Sequence, residues 1–108
     1  MIDDEDIQKA LDWLMNNAEP AAKARAERIY LEEFRKTIKA TLMAEKAGEP
    51  LGAQERYAYA HIQYKTHLQA MKEAIQRDEM MRWYLAAAEA KLEAWRTMNA
   101  NARAQGKL

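Results

Sequence analysis

The stretch from Gln54 to Arg103 runs for about fifty residues without proline or glycine. Strong helix formers dominate it: Ala, Glu, Lys, Leu, Met, Arg and Gln. A single helix of that length would span about 75 Å at ~1.5 Å per residue. A compact domain of this size has a radius of gyration of only about 13 Å. We therefore expect this helix to bend, to break or to project into a partner.

The residue types elsewhere in the chain also favour helix over strand. The sequence contains no valine, and its isoleucines, threonines and aromatic residues are spaced as in helices rather than alternating as in strands. We therefore predict an all-α fold in a single domain, residues 1–108. The expected architecture is a long antiparallel helical hairpin plus a short N-terminal helix, assembled into a helical oligomer.

Asparagine and proline mark the boundaries that we expect between the first two helices. An acidic start suits the positive end of a helix dipole, and Asn16 with Asn17 ends a short first helix, about residues 4–17. Pro20 opens a second helix, about residues 20–47, because the first turn of a helix does not need the amide that proline lacks.

Gly48 and Pro50 mark the turn of the hairpin. They predict a loop over residues 48–52 and a third helix over about residues 53–102. So short a loop places the helices on either side antiparallel. A kink in the middle of the third helix, or a break near Ala60, stays an open alternative.

Apolar and aromatic residues in the third segment form two heptad-like series. The first comprises Tyr57, His61, Tyr64, Leu68, Met71 and Ile75, and the second comprises Met81, Leu85, Ala88, Leu92 and Trp95. The spacing slips between the two series, which predicts a local change of winding or of partner. Because large core residues are few, we expect a second copy of the chain to cover part of this surface.

Charge and composition exclude several classes of protein. The 108 residues include 17 basic and 17 acidic side chains, a balance that argues against a strongly basic nucleic-acid binder. The absence of cysteine excludes disulfide scaffolds and cysteine zinc sites. The acidic N-terminal sequence MIDDEDIQ lacks the apolar run of a signal peptide, and no segment approaches the ~20 apolar residues of a bilayer span. We expect a cytoplasmic protein with no membrane partner.

The chain offers few groups for catalysis or for metal binding. His61 and His67 are six residues apart, which places them on opposite faces of a helix. Glu89, Glu93 and Arg96 are typical of a surface salt-bridge ladder. The sequence contains no serine and no Gly-rich phosphate loop. We therefore predict that the protein is not an enzyme and has no catalytic residue, no metal site and no cofactor.

Bulky residues in the second half of the third segment predict a protein-binding surface. Methionine and tryptophan are enriched at interfaces. The residues that we expect to contact a partner are Met81, Trp83, Tyr84, Leu92 and Trp95. The alternative is that these residues form a core under the first helix. Trp83 and Tyr84 cannot both belong to the second heptad series, so at least one of them faces another partner or water.

A second group of residues combines aromatic rings with basic side chains, as in proteins that stack and steer single-stranded nucleic acid. The candidate contacts are Arg28, Arg35, Lys39, Arg56, Tyr57, Tyr59 and Lys65. The competing interpretation is that the tyrosines pack at the edge of the core with their hydroxyls exposed.

Three stretches together resemble a known group of proteins: AERIYLEEFRKTIKATLM (Ala26–Met43), GAQERYAYA (Gly52–Ala60) and AAAEAKLEAWRTMNANARA (Ala86–Ala104). The chain resembles small helical proteins that tailed phages and prophages of proteobacteria encode in early regions, among recombination and DNA-metabolism genes. This resemblance implies a role near phage DNA processing, in the cytoplasm of a bacterial host cell. It assigns no site residues.

Three functional hypotheses follow. The first is a non-enzymatic phage accessory protein that acts through helical protein–protein contacts on a phage or host factor of DNA recombination, repair or replication. The second is an oligomeric protein that binds single-stranded nucleic acid. The third is an inhibitor of a host defence system, which would use the same helical surface during host takeover.

Overall fold

The structure, a computed structural model, describes residues 2–106. Over that range the chain forms three α-helices and no strand: α1 is Asp4–Ala44, α2 is Leu51–Ala60 and α3 is Ile62–Ala104. The predicted all-α fold, a helical hairpin with one short helix, is confirmed. The short helix is α2, which lies between the two long helices in the chain, and the prediction that it lies at the N-terminus is wrong.

The start of α1 is held by a reciprocal pair of aspartates. The amide of Asp6 donates to Asp3 Oδ1 at 2.9 Å, and the amide of Asp3 donates to Asp6 Oδ2 at 3.2 Å. Each side chain thus satisfies an amide that has no partner within the helix. The hydrogen bond from the Asp6 amide is the main reason that the pKa of Asp3 lies below its usual value.

The predicted boundary between a first and a second helix is wrong, because α1 continues through Asn16, Asn17 and Pro20. The side-chain amide of Asn17 donates to the Trp13 carbonyl at 2.9 Å, so this residue stays inside the helix rather than ending it. Pro20 has no amide to donate to the Asn16 carbonyl. Asn16 and Pro20 both lie on an exposed part of α1.

The turn after α1 follows the predicted glycine and proline signals. Beyond Ala44 the chain tightens through hydrogen bonds between residues three apart, and it reverses at Gly48, whose φ of 94° suits glycine. Pro50 precedes α2, and its carbonyl accepts from the amides of Ala53 and Gln54. The helix therefore begins inside the predicted loop 48–52.

A break at His61 separates α2 from α3, so the single third helix predicted over residues 53–102 is wrong and the alternative break near Ala60 is correct. His61 is extended, with φ −71° and ψ 141°. Its ring Nδ1 accepts from the Gln63 amide at 3.0 Å, and its carbonyl accepts from Tyr64 and Lys65. His61 thus acts as the N-cap of α3.

The chain divides into two compact units, and the boundary falls within both long helices. Unit 1 comprises Met1–Ala22 and Glu79–Leu108, and unit 2 comprises Lys23–Asp78. The core of unit 2 lies near the hairpin turn, where α2 contributes the fully buried Ala58. It contains Leu42, Ala58 and Tyr64, with Ile38, Met43 and Tyr57 packed against them.

The buried face of α3 keeps one heptad phase from Tyr64 to Met81 and from Ala88 to Asn99, so the predicted slip between Ile75 and Met81 is wrong. The buried and half-buried positions step by three and four residues through Tyr64, His67, Met71, Ala74, Asp78 and Met81, and again through Ala88, Leu92, Trp95 and Asn99. Leu85, the position of this pattern between the two runs, is 40% exposed. Three members are polar: Asn99 is half-buried, and His67 and Asp78 are buried. Sequence reasoning assigned Ile75 to the buried face because it is apolar, but Ile75 is exposed.

Both buried polar residues have specific partners on α1. Arg28 Nε donates to Asp78 Oδ2 at 2.5 Å, and Arg28 Nη1 also pairs with Glu32 at 3.1 Å. These hydrogen bonds, first to Asp78 and then to Glu32, raise the pKa of Arg28. His67 Nε2 lies 2.6 Å from the Leu31 carbonyl oxygen. The two contacts fix the antiparallel register of α1 and α3 within unit 2.

Replacing Pro20 by alanine is expected to raise the free energy of unfolding by up to about 3 kcal/mol, because alanine restores the missing hydrogen bond within α1. Urea unfolding followed by circular dichroism measures the change. The exposed Ala18→Gly variant in the same helix is the matched control and should lower stability by about 1 kcal/mol. A loss of stability in Pro20→Ala would show that the proline stabilises the native helix.

Asp78→Ala is expected to lower the free energy of unfolding by about 2 kcal/mol, since it removes a hydrogen bond between charged groups. Glu73→Ala, at an exposed position of the same helix, is the control and should change it by less than about 0.5 kcal/mol. The double variant Arg28→Leu/Asp78→Leu should lose less free energy of unfolding than the sum of the losses in Arg28→Leu and in Asp78→Leu. Additive losses would mean that Arg28 and Asp78 do not stabilise each other.

Candidate interaction surface

Unit 1 brings the N-terminal part of α1 against the C-terminal part of α3. The Trp13 and Tyr84 rings lie 5.9 Å apart at an angle of 54°. Farther along the same pair of helices, Trp95 Nε1 donates to Asp4 Oδ1 at 3.3 Å. The order of these contacts shows that the two segments are antiparallel. Ile7, Ala10 and Ala88 are the buried apolar residues here.

A groove opens beside the Trp13–Tyr84 contact. It has a volume of about 250 Å³ and is lined by Lys9, Ala10, Trp13, Tyr84, Ala87, Ala88 and Lys91. Each helix contributes one aromatic ring, one lysine and small alanine side chains. Lys9 pairs with Glu5 at 3.3 Å on the exposed side of α1. An apolar floor with cationic edges suits a ligand group that is apolar and carries negative charge beside it.

The structure divides the five residues predicted to bind a partner. Met81, Leu92 and Trp95 are half-buried on the face of α3 that packs within unit 1, as the alternative interpretation expected. Tyr84 is 54% exposed and lines the groove, whereas Trp83 is 75% exposed on the outer side of the helix. Trp83 and Tyr84 are the two of the five that are exposed.

Trp83 lies in a shallow depression on the outer surface of α3. The depression has a volume of about 240 Å³ and is lined by Glu79, Arg82, Trp83 and Ala86. Arg82 Nη1 and Glu79 Oε1 are 3.2 Å apart along one edge. An exposed tryptophan between charged residues is typical of a protein contact surface.

The residues predicted to contact nucleic acid lie in unit 2, and their basic members have different surroundings. Arg28 is committed to Asp78 and Glu32. Arg35, Arg56 and Lys65 are exposed. Lys39 is half-buried, with its ammonium 4.7 Å from the centroid of the Tyr59 ring. A hydrogen bond with Tyr59 raises the pKa of Lys39 above its usual value, and partial burial opposes that shift.

The two tyrosines of this set are packed by neighbouring side chains. The Lys46 ammonium lies 4.9 Å from the centroid of the Tyr57 ring, and the Tyr57 hydroxyl donates to Glu45 Oε2. Tyr59 packs edge-on against Tyr64 at 5.2 Å. A lysine thus covers one face of each ring, which leaves less ring surface for a stacked base.

Sequence reasoning missed the contributions of Lys9, Trp13 and Lys91 to the groove. The only signal for Trp13 was its large aromatic side chain within the predicted first helix. The two lysines resembled solvated surface charges. Lys9 and Lys91 line the same groove because α1 and α3 pair in unit 1. The sequence of neither helix predicts that pairing by itself.

Among residues 2–106, no three His, Cys, Asp or Glu side chains are grouped as metal ligands. In the same part of the chain, no helix has the length and hydropathy of a bilayer span. Comparisons of the chain with protein-family models, with curated proteins and with solved structures give no match.

The Tyr57–Glu45 contact predicts a difference in alkaline stability. The hydrogen bond to Glu45 raises the pKa of Tyr57, and burial adds to the shift. A group whose pKa is higher in the folded state stabilises the protein below its unfolded pKa, near ~10, and loses that contribution as pH rises through the folded pKa. As the pH rises through the folded pKa of Tyr57, the thermal midpoint of Tyr57→Phe should therefore fall less than that of the wild type.

Thermal midpoints at several pH values, from neutral to strongly alkaline, measure this effect. Tyr30→Phe is the control, because Tyr30 is an exposed tyrosine that stacks on Phe34. Parallel pH profiles for Tyr57→Phe and the wild type would mean that the Glu45 contact does not stabilise the fold.

Proposed function

We propose that the protein is a non-enzymatic accessory protein that acts through helical protein–protein contacts. The groove of unit 1 receives an apolar side chain of the partner, and Lys9 and Lys91 bind acidic residues beside it. The observation that carries this proposal is the pairing of two aromatic rings and two lysines around one open groove, with one of each on each helix.

The small core supports a role in binding. Among residues 2–106, the buried apolar residues number eight, and four of them are alanine. Many large apolar side chains are exposed instead, including Trp83 and Tyr84. Monomeric proteins seldom expose so much apolar surface without a contact to cover it.

The resemblance to phage proteins suggests the class of target. We propose a phage or host factor of DNA recombination, repair or replication, in the cytoplasm of a bacterial host. Inhibition of a host defence protein would use the same groove on a different target. Direct binding of single-stranded nucleic acid is a weaker proposal, because lysines cover the Tyr57 and Tyr59 rings and Arg28 is committed to an ion pair.

Binding to purified bacterial recombination, repair and replication proteins tests the proposal, with biolayer interferometry as the measurement. We expect one of them to bind and Trp13→Ala to weaken the complex by at least about tenfold, as is typical of a buried aromatic anchor. Lys91→Glu should also weaken the complex, because it places a negative charge beside an acidic partner. This loss should be larger in low salt than in high salt.

Leu51→Ala is the matched control, since Leu51 is an exposed apolar residue of unit 2. The same measurement with a single-stranded oligonucleotide over a range of salt concentrations tests the nucleic-acid alternative. Salt-sensitive oligonucleotide binding with no protein partner would overturn the proposal. Protein binding that Trp13→Ala and Lys91→Glu leave unchanged would assign the contact to another surface.

A further inference from the structure

The outer surface of α3 carries a second apolar stripe, most of which is exposed. Its members step by three and four residues, and we call them the outer stripe: Met80, Trp83, Ala87, Ala90 and Ala94. The first four are exposed and Ala94 is half-buried. A repeat of this spacing is the pattern by which one helix packs along another.

The outer stripe is distinct from the buried face of the same helix. At 3.6 residues per turn its centre lies about 130° around the helix axis from the face that contains Met81, Ala88 and Trp95. One side of α3 therefore packs against α1 within unit 1, and the other side is shaped for a second helix.

Side-chain size varies along the outer stripe in a way that suits an antiparallel partner of the same sequence. Its N-terminal end is bulky, with Met80 and Trp83, and its C-terminal end is small, with Ala90 and Ala94. An antiparallel second copy places Trp83 opposite Ala94 and Ala87 opposite Ala90. Large side chains then fill the space that small ones leave. A parallel copy would oppose the two tryptophans and leave a gap at the alanines.

The charges along one flank of the stripe fit the same arrangement. Glu79 and Arg82 lie at its N-terminal end, and Glu93 and Arg96 lie near its C-terminal end. Each glutamate now pairs only with the arginine three residues further on, at 3.2 and 3.4 Å, and all four side chains are exposed. In the antiparallel arrangement, Arg82 of one copy lies at the level of Glu93 of the second copy, on the same flank of the contact. Such exposed pairs favour one orientation and add little affinity.

We propose that a second copy of this chain covers the outer stripe, forming an antiparallel α3–α3 dimer about a two-fold axis near Ala87 and Ala90. This inference rests on the proposed function, because it names a second copy of the chain as one partner in the helical contacts. The dimer contact uses Trp83, whereas the groove uses Trp13. Ala87 belongs to both surfaces, whereas Trp83 belongs only to the outer stripe and Trp13 only to the groove, so variants of these two tryptophans test the surfaces separately.

Light scattering on a sizing column gives the first test. The wild type is expected to have the mass of a dimer at micromolar concentration, and Trp83→Ala should weaken the dimer by at least about tenfold. Circular dichroism checks that the variant stays helical. Trp13→Ala is the matched control and should leave the dimer intact. A wild-type mass of one chain, or a dimer that Trp83→Ala does not weaken, would overturn the proposal.

Cysteine cross-linking tests the orientation, because the chain has no cysteine of its own. The same antiparallel register places Met80 opposite Thr97 of the second copy. A mixture of Met80→Cys and Thr97→Cys chains should therefore form a disulfide-linked heterodimer under mild oxidation. Met80→Cys alone should not cross-link, since two such residues would be about 26 Å apart along the antiparallel axis. Efficient cross-linking of Met80→Cys to itself would show a parallel dimer and contradict the inference.

A charge exchange supplies a test that does not depend on removing apolar surface. Arg82→Glu should weaken the dimer, and Arg82→Glu/Glu93→Arg should recover it, since the exchanged pair again faces opposite charge. A double variant weaker than the single one would reject the antiparallel register. If the dimer forms and no DNA-metabolism protein binds at the groove, the proposed target is wrong while this inference stands.

Discussion

The fold of this protein depends on how two long helices with many small buried residues find one register. Alanine-to-alanine contacts differ little when one helix slides past the other, so apolar packing alone specifies register weakly. The pairing of Arg28 with Asp78 and of His67 with the Leu31 carbonyl supplies the missing specificity in unit 2. Each buried polar group has one partner that satisfies it, and a shifted register would leave it unpaired. We interpret these polar contacts as the determinants of register in this unit.

The fold class could be predicted from the sequence because it follows from local properties. The absence of valine, the long stretches of helix formers and the turn signals at Gly48 and Pro50 all act within a few residues. The helix boundaries could not be predicted as well. Asn17 remains helical because its side chain bonds within α1. Pro20 lies on an exposed part of α1, away from the buried apolar residues. Both depend on which side of the helix faces the core.

The candidate surface could be predicted only in part, and for a related reason. Sequence reasoning selected bulky residues for the buried face of α3 and predicted a slip in spacing between Ile75 and Met81, the segment that contains Asp78. The buried face instead includes that aspartate, because an arginine from another part of the chain neutralises it. Trp83 and Tyr84, which the spacing excluded from sharing the second heptad series, are both exposed. Their different surroundings, one beside the groove and one on the outer surface, follow from the pairing of α1 with α3 in unit 1.

The high alanine content links the thin core to the exposed surfaces. A helix face built from alanine buries little area, so each helix contact contributes modestly to the free energy of folding. The same small side chains let helices approach closely on more than one side. In the C-terminal part of α3, Ala88 lies on the buried face, while Ala87 and Ala90 lie on the outer stripe. A helix of this composition gains stability chiefly by acquiring more neighbours. The feature that makes the isolated chain weakly packed is therefore also the one that suits it to assembly.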